Sequence, residues 1–330
     1  MKKDNKLLGV QILRVVACLM VFVVHFGQRT GVNSVFAFTD YGQYGVYLFF
    51  LISGFLMCQS LMKGSLNRGE IKRYYIKRAI RILPLYYLSI IWFFITEELI
   101  LDTMPQDDLR IGWFRYFFLL NTVVKNNGFA TYHWGNIGIT WTIPVFVFAY
   151  LISPLVCKWV KNANRASVAF GVSLAVSVLA DKVLNGWIMP LQYMHFFVLG
   201  IMLWHYLNEN KEREFAIVCS VLWIVADALQ VLPILKMALV FAILTGAMCK
   251  INLSVPDKIR NLIEVVDEHS YTLYLMHGIV FCSVIDKLQL SWWINAMIAI
   301  IGSFVLTVVV HQLYEKPVTK WLEKKCLNNK

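Results

Sequence analysis

Charge is scarce in this sequence. Asp, Glu, Lys and Arg make up 15% of its 330 residues, against 58% hydrophobic residues and a mean hydropathy of +0.60. A soluble globular domain carries about a quarter charged residues, so that class is excluded. Acidic residues are the scarcer sign, 20 against 31 basic. Proline is down to 8 and glycine to 18, and no Pro/Gly/Ser-rich linker, low-complexity tract or internal repeat interrupts the chain. The seven cysteines, at 18, 58, 157, 219, 249, 282 and 326, are odd in number and form no C-x-x-C pair, which argues against a disulfide framework and against a zinc site. H-x3-H and H-E-x-x-H patterns are missing as well, so no metal is expected.

What the chain has instead is long apolar runs. A bilayer core needs about 20 mostly apolar residues per helix, and ten segments qualify: 7–27, 44–62, 82–100, 138–157, 167–185, 187–207, 215–231, 233–249, 270–288 and 291–313. The expected fold is therefore all-α, a polytopic membrane protein of about ten spans, read as a single transmembrane domain over 1–330 with no appended soluble domain. The stretch from Gly112 to Val124 is apolar but too short to span, and is read as interfacial or re-entrant. Basic residues set the orientation. With the N-terminus cytoplasmic, 23 of the 31 fall in cytoplasmic segments, seven fall outside, and Arg14 lies within a span. Both termini are then cytoplasmic, and the net charge of +11 is a topology signal that gives little reason to expect nucleic acid. The first run is too long for a signal peptide and lacks a cleavage site.

Ionisable side chains inside such runs are costly and mark function. The first run, "LRVVACLMVFVVH", holds Arg14 and His25. Eleven residues apart, they lie about 20° apart around a helix and about 16 Å apart along it, on one face. In "YGVYLFFLISGFLM" Tyr44 opens the second run, and Ser53 and Gly54 sit mid-helix, where Gly suits close approach of a ligand or of another helix. "RGEIKRYYIKRAIRILPLYY" brings Arg73, Arg78 and Arg81 to the start of the third. The same cations suit a polyphosphate or an anchor on anionic lipid. "HSYTLYLMH" sets Ser270, Tyr274 and His277 on one stripe of the ninth. "FATYHWGNIGITW" gathers Phe129, Tyr132, His133, Trp134 and Trp141 on the outer side, as interfacial belt or as a platform for sugar rings. His195, His205, His269 and His311 are read as structural.

Taken in order, Arg14-x10-His25, "GVYLFFLISGF", the R-x-x-R of "KRAIRILPLYY", "SYTLYLMHG" and "YEKPVTKWL" resemble the membrane acyltransferase-3 family over essentially the whole chain. That resemblance implies a ten-helix domain in the bacterial cytoplasmic membrane. It implies a cytoplasmic acyl-CoA donor, by default acetyl-CoA, and a surface glycan or sugar hydroxyl as acceptor on the other side. It makes His25 the catalytic histidine, Arg14 its partner, and Arg78 and Arg81 the R-x-x-R pair. One departure stands out: where the family often has W-S-L-x-V-E-x-x-F-Y, this chain reads "WTIPVFVFAY", with Trp141, Val145 and Tyr150 kept and Phe146 in the glutamate's place. Asp40, Glu97, Glu98, Asp181 and Asp227 are the outer carboxylates available to substitute.

The mechanism expected is proton removal from an acceptor hydroxyl by His25 as it attacks the thioester, with an acyl-histidine intermediate as competitor. Tyr44, Ser53, Tyr274 and His277 are the candidate donors to the oxyanion. Arg73, Arg78, Arg81, Ser53 and Gly54 are the candidate donor-binding residues, and Trp141 a candidate acceptor contact. No H-x4-D box follows any histidine, unlike the glycerolipid acyltransferases that use one. The rival reading is a transporter or channel, which explains ten helices and intramembrane charge but not the ordered motifs. Acceptor, acyl group and oligomeric state are left open by the sequence.

Overall fold

The computed structural model of the chain describes residues 2–30, 37–95, 115–122, 140–184, 189–228, 233–251, 253, 255–285 and 290–327. Among these there is no strand. Eleven helices account for most of them: α1 (Lys2–Thr30), α2 (Tyr44–Leu61), α3 (Arg68–Phe94), α4 (Thr142–Trp159), α5 (Ala163–Leu184), α6 (Met189–Asn208), α7 (Glu212–Ala228), α8 (Pro233–Lys250), α9 (Asp257–Val280), α10 (Trp292–Val310) and α11 (Lys316–Leu327). A 3-10 segment, Ala37–Gln43, leads into α2, and single π-helical turns, Phe281–Ile285 and His311–Glu315, follow α9 and α10. Five stretches are long and apolar enough to cross a membrane on those grounds alone: Leu8–Thr30, Thr39–Leu61, Thr142–Trp159, Ala163–Val183 and the continuous run Trp292–Leu327.

Helices cover the other apolar runs too, but they are shorter or carry more charge. α7 has 17 residues. α3 and α9 each begin more than a turn before the apolar run does, in charged sequence. The basic flank of the third run is thus not a separate amphipathic piece but the first half of one helix. Its start is fixed by Asn67, whose side-chain oxygen accepts from the Glu70 amide at 2.9 Å, while Ser65 donates to the Glu70 carboxylate at 3.0 Å. That is an N-cap with the acidic residue at N3. The short stretch expected at the interface, of which 115–122 is described, does not span. It docks on α3, where Tyr86 and Tyr87 donate to the carbonyls of Tyr116 and Phe117 at 2.7 and 3.0 Å.

The tightest crossing joins α2 to α6. A Cβ on Gly54 would stand 1.9 Å from the Phe197 carbonyl oxygen, and one on Gly200 would stand 2.0 Å from that of Leu51. The two backbones meet because neither glycine has a side chain, the usual device where lipid removes the hydrophobic drive between helices. One apolar core gathers around this crossing, with α4, α8 and the first half of α1. A second gathers around α3, α9 and α10, with Cys18, Val21 and Phe22 of α1. α1 therefore runs between the two cores, buried on both flanks.

Candidate active site

The site follows from the pairing of α1 with α9. Arg14 Nε lies 3.2 Å from Asp267 Oδ1. One turn on, the Cys18 thiol faces the Ser270 carbonyl at 3.4 Å. At the far end the rings of His25 and His277 stand with centroids 5.4 Å apart. Each rung joins residues about 252 apart in sequence, so the two helices run parallel and in constant register. Arg14 and His25 share one face of α1, as their spacing predicts, and α9 covers it.

Arg14 is nearly enclosed, its side chain 16% exposed and that of Asp267 10%. Arg78 and Arg81 lie close enough to repel it. Asp267 answers Arg14, and the three guanidiniums keep an excess of positive charge at this end of the bundle. Arg78 is held over the rings of Tyr74 and Tyr150, 5.3 and 5.0 Å from their centroids, a cation–π arrangement that fixes the guanidinium without neutralising it.

Arg14, Arg78 and Arg81 open a cavity that continues past Ser53, Phe146, Ser270 and Tyr271 to Thr142 and Tyr274. Its walls are otherwise apolar and aromatic. At its far end the Tyr274 hydroxyl and Thr142 Oγ1 are hydrogen-bonded at 2.7 Å, and His277 lies one turn further along α9, against Tyr274. Arg78 and Arg81 also line a second, larger cavity with Lys77, Lys316 and Lys320. α11 forms part of its wall. Here His311 meets the Glu315 carboxylate at 2.7 Å, and Thr272 donates to the same carboxylate, which ties the π-helical turn after α10 to α9.

The residues that the sequence singles out thus separate into groups. Arg14, Ser53, Arg78, Arg81 and Tyr274 share the first cavity, and His25 and His277 adjoin each other beyond it. Gly54 is taken up by the contact with α6. Arg73 is exposed and lines neither cavity. Tyr44 stacks between Tyr41 and Tyr47, and Trp141 packs on Tyr193 at 5.1 Å, so both belong to an aromatic layer at the histidine end. Phe146, in the position of the family's glutamate, faces Phe50 and Phe197 and gives the cavity an apolar wall. Asp181 accepts from Gln192, Asp227 pairs with Lys236, and Asp40 is exposed. Glu97, Glu98, Phe129, Tyr132, His133 and Trp134 lie outside the described residues. His195 bonds Ser177 at 2.9 Å, and His269 bonds the Val265 carbonyl at 2.7 Å.

Asp267 is the residue that sequence reasoning missed. The signal was present: 267, 270, 274 and 277 form one stripe of α9, and extending the Ser270–Tyr274–His277 track one step back reaches a carboxylate. Among the described residues no group of His, Cys, Asp and Glu is arranged to hold a metal ion.

Comparison with known proteins bears on the family. An O-acetyl transferase of Shigella phage Sf6 is 24% identical over 317 residues, covering 92% of this chain and 93% of the relative. No solved structure matches. The family model described as an acyltransferase domain matches residues 7–312, from the first turns of α1 to the turn after α10, and takes in Arg14, His25, Arg78, Arg81 and His277 alike. The chain belongs to the acyltransferase-3 family.

Proposed function

We propose that this protein is an integral membrane O-acetyltransferase that moves an acetyl group from cytoplasmic acetyl-CoA to a hydroxyl of a sugar or glycan on the outer side of a bacterial cytoplasmic membrane. In this reading all ten helices α1–α10 cross the bilayer, both termini are cytoplasmic, and the arginine end of the bundle faces the cytoplasm. The observation that carries it is the cavity that leads from Arg14, Arg78 and Arg81 towards Tyr274. A mouth with excess cationic charge suits the donor's phosphates. The largely apolar remainder suits the pantetheine arm and thioester, and the histidine pair lies beyond its Tyr274 end.

The chemistry asks little more of the protein. His25 accepts the proton of the acceptor hydroxyl as its oxygen bonds to the thioester carbonyl carbon. The tetrahedral intermediate collapses with cleavage of the carbon–sulfur bond, and the imidazolium returns its proton to the leaving thiolate. Tyr274, at the end of the passage towards the histidine pair, is the candidate oxyanion donor. The 24% identical relative named an O-acetyl transferase supports acetyl as the acyl group.

The test is transfer of radiolabel from acetyl-CoA to the glycan fraction of membranes that hold the protein, beside His25→Ala and Arg78→Ala. Label is expected with the native chain, none with His25→Ala, and a raised KM for acetyl-CoA with Arg78→Ala. Native protein that transfers no label from any short acyl-CoA overturns the reading and returns the question to solute flux.

A further inference from the structure

His277 occupies an unusual position for a buried histidine. It is 1% exposed, enclosed by Phe22, Tyr274 and Phe281 at centroid distances of 5.9, 6.0 and 5.3 Å. Its Nδ1 stands 2.9 Å from the Leu273 carbonyl oxygen. A carbonyl only accepts, so Nδ1 carries the proton. In the neutral ring Nε2 is then a lone-pair acceptor, and it has no partner among the described residues. A buried acceptor left unsatisfied costs about 1–3 kcal/mol; His205 and His311 also leave Nε2 so, and His277 is the one of the three whose ring adjoins that of His25.

The histidine ring beside it is that of His25. With centroids 5.4 Å apart, two imidazoles turned edge to edge bring facing nitrogens to about 3 Å, a hydrogen-bond distance, so their separation admits the contact. His25 has its own need. Its neighbours include Gln28 on the same helix, whose side chain hydrogen-bonds it, Arg29 and His277, and among the described residues no carboxylate partners it. A neutral amide can hold the ring but does not share the positive charge that a general-base histidine acquires.

We propose that His277 is the positioning residue for His25: its Nε2 accepts the His25 N–H, which turns the other His25 nitrogen towards the acceptor hydroxyl and spreads the charge of the imidazolium over two rings. The backbone carbonyl of Leu273 completes the chain, since it holds His277 Nδ1–H and so keeps Nε2 free to accept. No proton passes from His25 to His277 in this scheme. The one taken from the hydroxyl stays on His25 until the thiolate takes it. The apolar enclosure strengthens the contact, because a hydrogen bond gains in a low dielectric. The proposal rests on His25 acting as the base.

Two measurements test it on the full-length protein in lipid. In the first, 15N-histidine protein is examined by solid-state NMR for a coupling across an N–H···N bond between His25 and His277, with His277→Leu as control. The coupling is expected in the native protein and lost in the variant. Its absence from native protein overturns the proposal whether or not the protein transfers acetyl. In the second, steady-state transfer is compared for native, His277→Leu and His277→Gln. Removal of the acceptor is expected to lower kcat about 100-fold, at the lower end of what acid–base groups contribute, with KM for acetyl-CoA within about twofold. His277→Gln places a carbonyl oxygen near the position of Nε2 and is expected to recover at least about tenfold of that loss. A Leu variant with kcat within about threefold of native, or a Gln variant no better than Leu, overturns the proposal. Native protein that shows the coupling but no transfer rejects the acetyltransferase reading and leaves the histidine pair standing.

Discussion

At the scale of single residues, the Arg14–Asp267 pair is the clearest case of a charge that has to be matched. Both side chains are largely buried, 3.2 Å apart, and removing one member of such a pair leaves the other uncompensated at a cost of about 3–5 kcal/mol. Asp267→Ala is therefore expected to lower the melting temperature in detergent markedly. The double variant Arg14→Met with Asp267→Leu is expected to restore most of that stability while remaining inactive, because the cavity then loses a cation at its mouth. Melting curves and transfer assays on the native, single and double variants check both statements, and a double variant as unstable as the single one would falsify the matching argument. Arg14 and His25 were legible because an ionised group in an apolar run stands out. Asp267 was not, because it falls in the charged first half of α9, beside Glu264 and Glu268, where a carboxylate looks like an ordinary solvated one. Pairing α1 with α9 is tertiary information that no periodicity carries.

At the scale of elements, glycine decides which helices touch. The α2–α6 crossing leaves no room at Gly54 or Gly200, whereas a Cβ on Gly171 of α5 meets nothing within 4 Å. Gly54→Leu and Gly200→Leu are expected to abolish accumulation of folded protein, and Gly171→Leu to be tolerated, as fluorescence-detected size-exclusion profiles of the three variants would show. In the sequence Gly54 was equally good for a ligand or for packing, since "LISGF" names a close approach but not its partner. The helix ends were legible to different degrees. α2 begins at Tyr44 as its apolar run does. α3 begins at Arg68, well before its run at 82, because a cap at Asn67 and a stretch of good helix formers extend the helix through charged sequence that hydropathy discounts.

At the scale of the whole molecule, the order of the chain was legible and its depth in the membrane was only partly so. Five stretches meet length and apolarity without help. The other helices are shorter or carry more charge and do not meet both on their own. The exposed Cys326 on α11 offers a test, since Cys18, Cys58, Cys157, Cys219 and Cys249 are buried. In a Cys282→Ser background, a membrane-impermeant maleimide is expected to label it in inside-out vesicles and not in intact spheroplasts, while labelling in spheroplasts would place the C-terminus outside. The parallel register of α1 and α9 also has a bearing on biosynthesis. The first helix enters the bilayer with an arginine whose counter-charge will not be translated until some 250 residues later. During that interval Arg14 has to be sheltered by lipid headgroups or by water in the insertion channel, since the neighbouring arginine-bearing mouth can only repel it. A chain truncated after α8 retains the α2–α6 crossing yet carries an orphaned cation, so ribosome-stalled intermediates should be lost to membrane proteases until α9 is made.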